Sequence, residues 1–104
     1  MQTVLIDKFV VREESRTAFL EASRKIQGVL KALPGFVEGF VHEKREGAGR
    51  DDIVTTAVWE NEDAYNSARK AMGIKLQELG LDPQEIMRRL NVEMERGVYV
   101  RSAY

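Results

Sequence analysis

Apolar and polar positions first organise into a strand. From Thr3 to Val11 the side chains divide with period two, Leu5, Asp7, Phe9 and Val11 on one face and Val4, Ile6, Lys8 and Val10 on the other. After the polar, acidic start Arg12-Glu13-Glu14-Ser15 the period changes to that of a helix. Phe19, Ala22, Ile26, Val29, Leu30 and Leu33 form its apolar stripe, and Arg16, Glu21, Arg24, Lys25 and Lys31 its wet side. Pro34-Gly35 stops it. Alternation returns from Phe36 to Glu46, with Phe36, Glu38, Phe40, His42 and Lys44 sharing one face and Val37, Gly39, Val41 and Glu43 the other. The loop 47–51 then leads into a third strand, Ile53 to Trp59, at a spacing that suits an antiparallel hairpin. Asn61 is placed to cap a second helix striped by Tyr65, Ala68, Met72, Leu76 and Leu79, with Gly73 a candidate break and Gly80 the stop. Asp82-Pro83-Gln84-Glu85 predicts a short third helix burying Ile86, Met87 and Leu90. Gly97 to Tyr104 reads as the last strand.

The order β-α-β-β-α-(α)-β predicts one α+β domain over residues 1–104: a ferredoxin-like split β-α-β with a four-stranded antiparallel sheet and helices on one face. A sheet covered on one side alternates apolar with polar. The first and third strands do not, since Val4, Ile6 and Val10 oppose Leu5, Phe9 and Val11, and Val54 and Val58 oppose Ile53, Ala57 and Trp59. The second face therefore needs a cover. The economical cover is a second copy, giving a homodimer packed sheet to sheet. The alternative is a monomer whose third helix and last strand fold across that face.

Composition narrows the chemistry. Sixteen basic and seventeen acidic residues nearly cancel, so no basic field points to nucleic acid. The chain has no cysteine, which removes disulfides, thiolate metal sites and thiol nucleophiles. One histidine, His42, cannot build a multi-histidine metal site, so no metal is expected. No segment approaches the ~20 apolar residues that span a bilayer, and the apolar run at the N-terminus is too short for a signal peptide. The expectation is a cytoplasmic protein with neither membrane nor nucleic-acid partners. Phosphate-binding glycine loops and nucleophile elbows are also missing.

Two residues stand out. Trp59, the only tryptophan, closes the third strand where the sheet hands over to a helix, and either plugs the core or lines a pocket. Asp7 sits mid-strand among apolar neighbours, where a carboxylate needs a partner. Burial favours the neutral form of a carboxyl, so such an Asp7 would suit proton acceptance near neutral pH; equally, it could bond a hydroxyl or an arginine and only brace the sheet. Thr55 and Ala57 share the Trp59 face and leave volume that larger side chains would have taken, with Thr55 the polar group expected beside Asp7. Phe9 lies on the Asp7 face. Tyr65 can pack in the core or offer its hydroxyl to a pocket. His42 can touch a ligand or stand in solvent. Tyr99, Arg101 and Tyr104 suit a dimer edge.

Phe9-Val10-Val11 before an amphipathic helix, Leu33-Pro34-Gly35-Phe36, and Thr56-Ala57-Val58-Trp59-Glu60-Asn61-Glu62-Asp63-Ala64-Tyr65 together resemble the antibiotic biosynthesis monooxygenase domain, over residues 3 to 72 and again at the last strand. The resemblance implies a dimeric α/β barrel with a cavity between sheet and helices in each subunit. It also implies oxidation of phenols or quinols by O2 without metal or flavin. The substrate anion would give an electron to oxygen while the protein supplies a pocket, a proton acceptor and hydrogen bonds. Trp59 falls at the family's pocket tryptophan and Tyr65 at a position where members carry an aromatic. A haem-degrading branch uses an Asn on strand one, this Trp, and an iron-ligating His on helix two. Here Asp7 stands at the Asn position, and residues 65 to 79 contain no histidine, Lys70 lying near its place, so haem degradation is not expected.

The expectation is thus a cofactor-independent monooxygenase of a phenolic or quinol-type substrate. Asp7 and Trp59 would be catalytic, and Thr55, Tyr65, Phe9 and His42 would bind substrate. The alternatives are a dimeric protein that binds a small ligand, or a stress-related one, without catalysis, and a dimer whose own side chains plug the cavity.

Overall fold

The computed structural model describes residues 1–104. Its elements run β1 (Thr3–Val10), a 3-10 turn (Glu13–Ser15), α1 (Arg16–Lys31), β2 (Phe36–Glu43), β3 (Ile53–Trp59), α2 (Glu62–Glu78), α3 (Pro83–Arg89) and β4 (Glu93–Val100). The strands form one antiparallel sheet in the order β2-β3-β1-β4, the ferredoxin-like arrangement expected from the element order.

The caps follow the residues that suit them. Asn61 Oδ1 accepts from the Ala64 amide at 2.8 Å, and Asp82 Oδ1 accepts from Gln84 and Glu85 at 3.1 and 3.3 Å. The Pro34-Gly35 turn closes against the start of α2. Gly35 has φ 82°, its carbonyl accepts from the Glu60 amide at 2.8 Å, and a Cβ there would lie 2.5 Å from Ala64 Cβ. Gly35→Ala would meet both a left-handed backbone penalty and a steric clash. It is expected to cost about 2–4 kcal/mol in urea unfolding, and a change under about 0.5 kcal/mol would mean that the turn relaxes freely.

Several expectations need correction. β4 begins at Glu93 and ends at Val100, earlier at both ends than the reading from Gly97 to Tyr104, because β1 pairs it from Val10↔Glu93 to Thr3↔Val100. β2 stops at Glu43, and Gly73 does not interrupt α2. Most consequential is a register shift in β2 between Phe36 and Glu38. It splits the face that plain alternation assigned to Phe36, Glu38, Phe40 and His42. Phe36 pairs with Trp59 and packs beneath the helices. Beyond the shift, Gly39, Val41 and Glu43 pair with Ala57, Thr55 and Ile53 on that inner side, so Phe40 and His42 turn outward.

The helices all lie on one side, giving Cα extents of 39 × 38 × 16 Å, thin in the direction of the two layers. Met87 and Leu90, at the end of α3, pack against Phe9, Val11, Phe19 and Ile53 on the inner side. The third helix therefore does not cross the second face. Val4, Ile6, Val10 and Val54 remain partly exposed there, beside the exposed Phe40 and Tyr99.

Candidate functional site

The inner core is not continuous. At one end Phe9, Val11, Phe19 and Ile53 cluster, the Phe9 and Phe19 rings 4.8 Å apart. At the other end Trp59, Tyr65 and Ala68 pack with Leu5, Leu30, Leu33 and Phe36, the Phe36 ring edge-on to Trp59 at 5.4 Å and 78°. Between and around these clusters lies a cavity of about 790 Å³ bounded by β1, β3, β4 and all three helices. That size suits a drug-sized ligand. Its walls are mostly apolar, and the partly exposed Ala22, Ile26, Leu30 and Met72 are apolar residues that face this space instead of each other.

The polar groups on the walls are few. Asp7 lies directly opposite Thr55 on β3 and Arg96 on β4. Its carboxylate accepts two bonds from one guanidinium, Arg96 Nε to Oδ1 at 2.8 Å and Arg96 Nη2 to Oδ2 at 2.9 Å. Bidentate geometry of this kind is the strong form of the ion pair. The Asp7 side chain is 9% exposed and that of Arg96 47%, so the acid is enclosed while the base reaches the cavity rim. Hydrogen bonding to Asp7 chiefly, aided by the Asp7 charge and by Tyr65, holds the guanidinium above its ordinary value, against the opposing effect of partial burial. Of the two roles open to Asp7, the arginine-bonded brace is therefore built. Each carboxylate oxygen still has a lone pair for another donor.

Trp59 is 1% exposed, and its Nε1–H has no acceptor. It lies four positions along β3 from Thr55, so the indole and the Asp7 pair sit roughly 13 Å apart along the sheet at ~3.3 Å per residue. Asp7, Thr55, Phe9, Tyr65 and Trp59 all line the cavity, as does Ala57. His42 does not. It is exposed on the outer face, its ring 6.1 Å from Phe40, because the β2 register shift carried it there. Phe9 and Tyr65 serve as core at the same time as wall.

Sequence reasoning missed Arg96, Arg69 and the α1 pair Ser23 and Gln27. Arg96 fell just before the expected strand, whose start at Gly97 was four residues later than that of β4 at Glu93. Arg69 sits 5.8 Å from the Tyr65 ring, a cation–π contact at the cavity wall. Ser23 and Gln27 follow Phe19 at intervals of four and are the other two buried residues of α1. That spacing was the available signal. No three of the chain's His, Asp and Glu side chains come together as a metal site would need.

A four-stranded antiparallel sheet with helices on one face, enclosing an apolar cavity with a few polar wall groups, defines a ferredoxin-like α+β protein with a small-molecule pocket. Residues 1–75 match the family of antibiotic biosynthesis monooxygenases, and the chain belongs to that family. Similar solved structures include SnoaB, a cofactor-independent oxygenase from Streptomyces nogalater, with a TM-score of 0.72 and 21% identity over 99% of this chain and 95% of that one. A candidate antibiotic biosynthesis monooxygenase from Deinococcus radiodurans gives a TM-score of 0.76 and 16% identity, covering 98% and 94%. At these identities the likeness is one of fold. No curated protein sequence matches the chain.

Proposed function

We propose that this protein is a monooxygenase that oxidises a phenolic or quinol-type aromatic with O2 in the cavity between sheet and helices. The observation that carries this reading is the placement of a fixed guanidinium–carboxylate pair on the wall of a largely apolar cavity of aromatic-ligand size. Family membership, and the description of SnoaB as a cofactor-independent oxygenase, support it.

In this reading Asp7 fixes Arg96, and the guanidinium N–H groups that Asp7 does not use meet the substrate oxygen. A nearby positive charge favours the anion over the phenol. A free lone pair of Asp7 receives the proton or orients the hydroxyl. The phenolate passes an electron to O2, and the net change, phenol plus O2 to quinone plus water, balances without another reductant. Trp59 walls the far end. Thr55, facing Asp7, adds a hydroxyl.

Tryptophan fluorescence during titration with hydroquinones, naphthols and haem, with dissolved oxygen recorded in the same cell, tests the proposal. Saturable quenching with oxygen uptake above the protein-free rate is expected for a phenol or quinol. Saturable quenching without uptake would instead make this a binding protein.

The proposal includes a homodimer. A face bearing Val4, Ile6, Val10, Val54 and Phe40 that the chain itself leaves open supports it. Sedimentation is expected to report a dimer that Ile6→Glu converts to monomer. A wild-type monomer at every concentration tried would sink that part.

A further inference from the structure

Four charged side chains line the cavity: Asp7, Arg69, Asp82 and Arg96. Three of them are engaged within the chain. Asp7 and Arg96 clasp each other, and Asp82 caps α3 through the amides of Gln84 and Glu85. Arg69 is the exception. No carboxylate of the chain lies within ion-pair distance of it, whereas Arg16, Arg50, Arg88 and Arg96 each have one. Its own helix cannot supply an acid, because the positions one turn away on α2 are Tyr65, Asn66, Met72 and Gly73.

Arg69 is nonetheless held in place on the wall. Its guanidinium lies 5.8 Å from the centroid of the Tyr65 ring, a cation–π contact that uses the charge and leaves the N–H donors unclaimed. Tyr65 also acts electrostatically on Arg96, so both arginines neighbour the same tyrosine. Open space adjoins the guanidinium. Gly73, one turn further along α2, lines the cavity too, and a Cβ there would meet nothing within 4 Å. A planar fork of donors beside open space fits a carboxylate, which takes two parallel N–H bonds from one guanidinium. Asp7 and Arg96 show the same pairing inside the chain.

We propose that Arg69 is a specificity-determining residue that binds a carboxylate carried by the aromatic substrate. This rests on the phenol-oxidising reading of the cavity and narrows its substrates to phenolic or quinol-type acids. Asp7 and Arg96 meet the reacting hydroxyl, and Arg69 meets a second, anionic group that takes no part in the chemistry. The rest of the wall is largely apolar and gives such an anion no other unpaired cation.

The test measures binding of 6-hydroxy-2-naphthoic acid and of its methyl ester by equilibrium dialysis at neutral pH, with wild type, Arg69→Gln and Arg69→Lys. Oxygen uptake is recorded with both compounds. The two share ring and hydroxyl and differ in whether the second group is charged. Wild type is expected to prefer the acid by about 5- to 10-fold at low salt, the modest size following from the exposure of Arg69. The preference should shrink as salt rises. Arg69→Gln is expected to abolish it, and Arg69→Lys to keep part, since lysine carries the charge without the fork. Arg69 is exposed and makes no ion pair, so both variants should keep the wild-type circular dichroism spectrum. Equal binding of acid and ester by wild type overturns the inference and makes Arg69 a solvated side chain. A preference for the acid that survives in Arg69→Gln also overturns it and assigns the carboxylate to Arg96. Oxygen uptake with the ester in either case leaves the oxygenase reading intact. A wild type that binds neither compound would remove both this inference and the reading it rests on.

Discussion

Arg96→Met is expected to destabilise the fold by about 1–3 kcal/mol and to lower phenol turnover by about 10²-fold or more. The stability change comes from Asp7, whose carboxylate would stay enclosed without its bidentate partner. Breaking a fully buried pair costs about 3–5 kcal/mol, and the half-exposure of Arg96 reduces this through solvent screening. Loss of turnover follows from removing the charge that favours the substrate anion. Arg96→Lys keeps the charge and loses the fork, so it should recover part of the rate. Asp7→Asn separates the two roles: it should cut turnover strongly while the protein stays folded, and the double variant Asp7→Asn/Arg96→Met should be more stable than the two single changes added together. A double-mutant cycle with a coupling near zero would show that the pair does not hold the strands. Unchanged oxygen uptake in Arg96→Met would confine Arg96 to structure.

Trp59 separates a plugged core from a pocket wall by stability and binding together. Trp59→Ala removes the largest fully buried side chain and should cost about 3–5 kcal/mol. Trp59→Phe loses less volume and also discards an N–H that is buried without an acceptor, so its net cost should stay within about 1 kcal/mol. For an indole that walls a pocket, the smaller ring should also weaken binding of 1-naphthol in equilibrium dialysis, through lost apolar contact area. Unfolding is followed by circular dichroism, because these variants have no tryptophan. A large stability loss in Trp59→Phe with ligand binding unchanged would make the indole a plug.

Local chemistry was legible where it acts over a few residues. Asn61, Asp82-Pro83 and Pro34-Gly35 marked element ends because a side chain or a fixed backbone angle meets its neighbours there. The alternation of β1 and β3 put Asp7, Phe9, Thr55 and Trp59 on one face, and they share it in the structure. His42 went astray because one register shift turns over every side chain beyond it, and no residue type marks the bulge at Val37. Arg96 was missed for a different reason. Its partner lies 89 positions away, and only the pairing of β4 with β1 brings them together. Gln27 was overlooked because a polar residue on a helix stripe reads as a gap in the pattern until the cavity beside it is seen.

The sheet order has a kinetic consequence. β4, the last strand in the chain, docks on the first, β1, and brings with it the Arg96 that clasps Asp7. Pairings of such sequence separation must close a long loop before they gain any contact, so they form late and slowly. The Trp59 end of the cavity, lined by residues of β1, β3, α1 and α2, can assemble while a nascent chain still lacks the guanidinium. During synthesis the walls of that end can therefore be in place before Arg96 arrives, and under the proposed mechanism a chain at that stage binds an aromatic ring before it can oxidise one.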